Sequence, residues 1–202
     1  MKLKIEAKNL QQISKQLEKQ IEPAKKVLTA TGNDMKKRVP GWVSTEVTGV
    51  YNIKKAEVMP AKKGKDGKWN KTAGSVRVAG TTVSSVTITY SGRVLTPTHF
   101  GMKPKKLTSG TKGKKRKRPL VSAEIKKGQR KVLGSAVFLG SNRGGGYIPF
   151  KRSSDKRYPV ESVKTLSLPQ MIDNPNVREQ IEDKVNAELA KRLEHNINRF
   201  MK

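Results

Sequence analysis

Cysteine is absent from all 202 residues. That excludes disulfide staples, thiolate nucleophiles and cysteine-ligated metal centres, and it suits a reducing compartment. Histidine is nearly as scarce: only His99 and His195 occur, neither with a second ligand at metal spacing. Aromatic residues make up 5 % and hydrophobic residues 34 %, which predicts a modest core within a single domain carrying long excursions. No apolar run approaches the roughly 18 residues of a membrane span. The N-terminal MKLKIEAKNLQQISKQ lacks the unbroken apolar stretch of a signal peptide.

Acid is the other scarcity, and it is local. Between Asp66 and Asp155 the only carboxylate is Glu124, against 20 Lys/Arg, so this stretch holds +19 of the chain's +28. The densest part is 103–118, with nine cations and no acid: Lys103, Lys105, Lys106, Lys112, Lys114, Lys115, Arg116, Lys117 and Arg118. A merely solubilising loop usually mixes signs. A field this one-sided needs a polyanion, most simply nucleic-acid phosphate, and these nine residues are the candidate contacts. Pro104, Gly110, Gly113 and Pro119 prevent an amphipathic helix here, so a membrane surface is not the expected partner.

Along the chain the pattern runs helices, strands, helix, an α+β order. Residues 8–48 read as helical. Leu10, Ile13, Leu17 and Ile21 recur at helical spacing after a capping Asn9, and Pro23 opens a second helix. Gly32 and Val39-Pro40-Gly41 are expected breaks, a kinked continuation through Trp42, Val43 and Val47 being the alternative. Residues 50–172 read as a mostly antiparallel β-sheet interrupted by the basic loop 103–118. Tyr51 to Val58 suggests a short extended piece, and Asp66-Gly67 a tight turn. Ser75 to Val78, Val83 to Tyr90 and Leu120 to Ile125 read as strands. Ala136 to Leu139 and Tyr147 to Phe150 read as a hairpin. Arg93 to Phe100 reads as a further strand, placed at an edge or bulge by Pro97. The C-terminal helix, 175–201, carries Val177, Ile181, Val185, Leu189, Leu193 and Ile197 at steps of four behind Asn174-Pro175. It is expected to pack its apolar stripe on the sheet.

No catalytic constellation emerges. GTKGKK lacks the phosphate-loop spacing, and the central region has no pair of carboxylates for acid–base or two-metal chemistry. Gly144 to Gly146 read as a hairpin tip, an anion cradle being the sharper alternative. Zinc-finger ligands, an aromatic RNA-binding motif and a basic zipper are all missing. Trp69 and Tyr147 can stack on bases, packing being their plainer role. The sequence therefore points to no catalytic residue, metal or cofactor.

The second half of the chain resembles the minor tail protein Z family of tailed bacteriophages, the tail completion proteins. The resemblance rests on VSAEIKKGQRKVLGSAVFLG, YIPFKR and RYPVESVKTLSLPQMI followed by an amphipathic helix. It covers residues 120–172 closely and most of the chain loosely; the Lys-rich stretch 62–118 departs from it. The matching positions are Gly128, Phe138, Arg152 and the turn Arg157-Tyr158-Pro159, which the resemblance implies are structural, with the Tyr158 ring buried in an ordered turn. It further implies a virion protein that is not an enzyme. This would be a homo-oligomeric ring, expected as a hexamer, at the head-proximal end of the tail, assembled in the host cytoplasm. Its partners would be copies of itself, other tail and head–tail connector proteins, and the DNA backbone without base readout. Composition alone is equally natural for a cellular, sequence-nonspecific nucleic-acid-binding protein of the ribosome-associated type.

Overall fold

The computed structural model describes residues 2–6, 22–82, 85–107, 119–142 and 145–201, with the backbone alone described for 2–6, 79–82 and 85–86. The architecture is α+β. In chain order the elements are β1 (Lys2–Glu6), α1 (Pro23–Val50), α2 (Lys55–Val58), β2 (Ser75–Thr82), β3 (Ser85–Ser91), β4 (Ser122–Glu124), β5 (Arg130–Val132), β6 (Val137–Ser141), β7 (Tyr147–Arg152), β8 (Val160–Ser162), α3 (Leu168–Ile172) and α4 (Pro175–Phe200). All strand pairing is antiparallel, in sheets ordered β1-β3-β2, β4-β5 and β6-β7-β8. The chain forms two compact units. The first combines 1–47, 55–93 and 168–202, and the second 48–54 and 94–167.

In the first unit, α1 runs unbroken for 28 residues through Gly32, Pro40 and Gly41. Proline inside a helix costs about 3 kcal/mol. Here the expected break is overridden by a stripe on both sides of it, Ala24, Val27, Leu28, Met35, Val39, Val43 and Val47, all buried. Each such side chain returns about 1.5–3 kcal/mol where it is large enough. Helix α4 starts as its sequence requires: Asn174 accepts a hydrogen bond from the Asn176 N–H, and Pro175 occupies the first turn. Its buried line is Val177, Ile181, Val185 and Leu189, but it then moves to Asn196, leaving Leu193 and Ile197 only half-buried. A step of four advances about 400° in a helix of 3.6 residues per turn, so the stripe drifts about 40° per step and must be reset. Helix α4 touches α3, and α3 lies against β3 and β1. The side chain of Asn196 reaches α1.

The strand β1 was not anticipated. It pairs with β3 with Leu3 opposite Tyr90 and Ile5 opposite Ile88. The helical segment expected around Leu10 to Ile21 lies outside the described residues. Tyr90 is fully buried, and its hydroxyl has no hydrogen-bond partner among the described residues.

In the second unit the core includes Met102, Val121, Val137 and Leu139, with Leu133 and Val163 packed against them. Residues 93–100 are not the expected strand. Val94 and Leu95 pair with Thr165 to Ser167, and Pro97 opens a 3-10 turn to His99, closed by the Phe100 N–H on the Pro97 carbonyl. Proline fixes its own φ and lacks the N–H a ladder needs, so the strand stops there. The piece expected to be extended from Tyr51 to Val58 is so only at Tyr51, which bridges Lys126, and it turns helical at Lys55.

Candidate nucleic-acid interface

The second unit contains 20 Lys/Arg and three carboxylates, a net +17 of the chain's +28. The basic loop leaves and re-enters this unit at one point. Lys103 and Ser122 exchange both backbone hydrogen bonds at 2.8 Å. Met102 and Val121, the residues flanking the pair, are both buried in the core. The loop's roots are therefore fixed by a ladder pair and two apolar anchors. Lys103, Lys105 and Lys106 are exposed at its start. Lys112, Lys114, Lys115, Arg116, Lys117 and Arg118 lie outside the described residues.

Glu124, the only carboxylate between Asp66 and Asp155, is engaged within the fold. It stands opposite Arg130 in the β4–β5 pair. One oxygen accepts the Gly128 N–H at 2.9 Å, and the other meets the Arg130 guanidinium at 3.2 Å. Arg130 also donates to the Gly101 carbonyl at 3.0 Å. Gly128 sits at φ +74°, a conformation that strongly favours glycine. This carboxylate closes a turn and offsets one arginine. Lys126, Lys127, Lys131, Lys151 and Lys156 remain exposed, so the cationic surface extends beyond 103–118. The acid-poor stretch signalled that extension, but the spacing of residues in sequence did not place it.

Two of the family-motif residues come together. Phe138 and Phe150 are directly opposite on β6 and β7, stacked with centroids 6.2 Å apart, and the Arg152 guanidinium lies 5.2 Å from the Phe138 centroid. These residues share one face of the hairpin, while Val137 and Leu139 turn to the core on the other. Gly140 lies under the Phe150 ring: a Cβ there would fall 2.8 Å from Phe150 Cδ2. At the hairpin tip the N–H groups of Gly145 and Gly146 are bonded to Asn142 at 3.1 and 2.9 Å. They therefore close the turn and do not aim at an anion.

The burial expected at Tyr158 is overturned. Its side chain is 66 % exposed, with the Arg157 guanidinium 5.7 Å from the ring, before a cis bond to Pro159. Residues 153–159 form an excursion between β7 and β8 with every side chain exposed, so no apolar surface is there to cover the ring.

Among the described residues no group of three or more His, Cys, Asp or Glu could hold a metal ion, and no helix is long and apolar enough to cross a membrane. No protein-family model matches the chain, and neither any curated protein nor any solved structure is significantly similar to it. What the described site offers chemically is a spread of solvated cations on a rigid β scaffold. Such cations suit contact with a polyanion backbone.

Proposed function

We propose that this protein is a structural, non-enzymatic virion subunit of a tailed bacteriophage, a tail-completion component that grips DNA backbone without reading sequence. In this reading copies assemble as a ring, expected as a hexamer, at the head-proximal end of the tail beside connector proteins. The observation that carries the DNA contact is the uncompensated charge of the second unit, whose central carboxylate is engaged with Gly128 and Arg130. The placement in a tail rests on the resemblance of residues 120–172. A DNA end in a narrow tube must be held at any sequence, which loose Lys/Arg–phosphate contacts achieve.

Salt-dependent binding to random duplex DNA tests the contact. Each phosphate neutralised adds about one unit to the slope of log affinity against log salt. Replacing Lys114, Lys115, Arg116, Lys117 and Arg118 by Ser is expected to flatten that slope and leave the melting temperature unchanged. An unchanged slope would remove the loop as the DNA contact. Electron microscopy tests the assembly: rings or tail-end density support it, and monomers coating RNA would favour the cellular nucleic-acid-binding alternative.

A further inference from the structure

The first unit carries a second basic feature, built differently from the loop. Residues 62–71 form a tight hairpin in which Gly64 and Lys68, and Lys62 and Asn70, are joined by backbone bonds of 2.7 and 3.0 Å. Gly67, at φ +75°, makes the turn with its N–H on the Gly64 carbonyl. The Asn70 side chain ties the hairpin to α2 by donating to the Ala56 carbonyl at 3.1 Å. On this fixed stalk stands Trp69, 64 % exposed. Among the described residues no aromatic ring stacks on it and no cation sits over its face.

The register makes the arrangement specific. Lys63 and Trp69 are directly opposite, flanked by the two backbone bonds, so they are a non-hydrogen-bonded pair. Such pairs bring side chains closest on one face. The hairpin also carries Lys62, Lys65, Lys68 and Lys71, all exposed, and its one acid, Asp66, accepts the Lys68 N–H at 3.2 Å. An exposed indole on a hairpin carrying five exposed lysines matches a ligand with flat π-faces and phosphates at short spacing. Duplex DNA hides its base faces, so the matching ligand is single-stranded. A membrane is a poor fit, because Trp69 is the only large apolar residue between 61 and 72.

We infer that the hairpin is a binding site for single-stranded DNA, with Trp69 as the stacking platform for an unpaired base and Lys63 and its neighbours as phosphate contacts. The proposal rests on the hairpin's own residues.

The test compares the full-length protein with Trp69→Ala and Trp69→Phe, titrating fluorescently labelled oligo(dT) and an abasic deoxyribose-phosphate oligomer of equal length. Stacking of one base predicts a loss of about 5- to 150-fold in oligo(dT) affinity for Trp69→Ala. Trp69→Phe is expected to retain most of the affinity, and abasic binding to be the same in all three. The quenching of tryptophan emission by oligo(dT) should largely vanish in Trp69→Phe. Equal losses on both oligomers, or none on either, would overturn the stacking role. A blue shift on anionic vesicles with no response to oligo(dT) would assign the ring to a lipid surface instead. Because Trp69 is exposed, its replacement should leave melting unchanged, and duplex salt dependence should persist, which separates this site from the loop.

Discussion

Asn196 of α4 donates its side-chain amide to the Thr31 hydroxyl of α1 at 3.0 Å, joining positions 165 apart in sequence. Both side chains are almost fully buried, at 1 % and 0 % exposure. The Thr31 hydroxyl in turn donates to the Val27 carbonyl at 2.8 Å. Asn196→Ala leaves a cavity and removes this bond, so it should destabilise the protein by about 1–3 kcal/mol. A double-mutant cycle with Thr31→Val should show coupling of at least about 0.5 kcal/mol. Additive losses would mean the bond contributes nothing specific.

Leu189 is the last apolar member of the buried line on α4. Leu189→Ala should cost about 2–5 kcal/mol, read as a clear fall in melting temperature. Leu193→Ala, three-dimensionally off that line and only half-buried, should cost distinctly less. Equal losses would contradict the rotation of the stripe.

Burial holds the Tyr90 phenol well above its ordinary pKa. The raised folded-state pKa means the unfolded chain releases this proton first as pH rises. Its contribution is fully present below about pH 10 and is lost above it, by up to about 1.4 kcal/mol per pH unit. Tyr90→Phe should therefore be neutral or slightly stabilising at pH 7, since it removes a buried hydroxyl that has no partner among the described residues. It should also resist alkaline unfolding better than the parent. A loss above about 1 kcal/mol at pH 7 would show that the hydroxyl has a partner.

Glu124→Gln keeps an acceptor for the Gly128 N–H but ends the ion pair with Arg130. The pair is partly solvated, so the expected cost is about 0.5–1.5 kcal/mol. Removing the negative charge should tighten non-specific duplex binding at low salt. Weaker binding in the variant would mean the β4–β5 turn must be held closed for the surface to work.

The α+β order, most strands, the Asp66-Gly67 turn and the capped start of α4 were legible because local signals and tertiary burial agree there. Other features were not, these three among them. Pro40 and Gly41 announce a break that the buried stripe through Val39, Val43 and Val47 overrides. Strand β1 is only five residues long, and its partner β3 lies some 80 positions away in sequence, a pairing no local window contains. At Tyr158 the residue type suggested burial, yet the flanking Ser153, Ser154, Asp155 and Lys156 supply nothing to bury it against. The site was legible as charge but not as geometry. Composition located the acid-poor stretch; only the register shows Glu124 facing Arg130 and Lys63 facing Trp69.

The backbone exchange between Lys103 and Ser122 pins the two ends of the intervening segment to one point of the scaffold. Because both ends are held by the folded unit itself, a change of length between them carries a small entropic cost. Doubling a flexible loop costs only about 0.6 kcal/mol of closure entropy. Under the proposed function, the number of lysines between these anchors can then vary without disturbing the Lys103–Ser122 pair. On that proposal, the strength of the DNA contact and the stability of the fold are set by different residues.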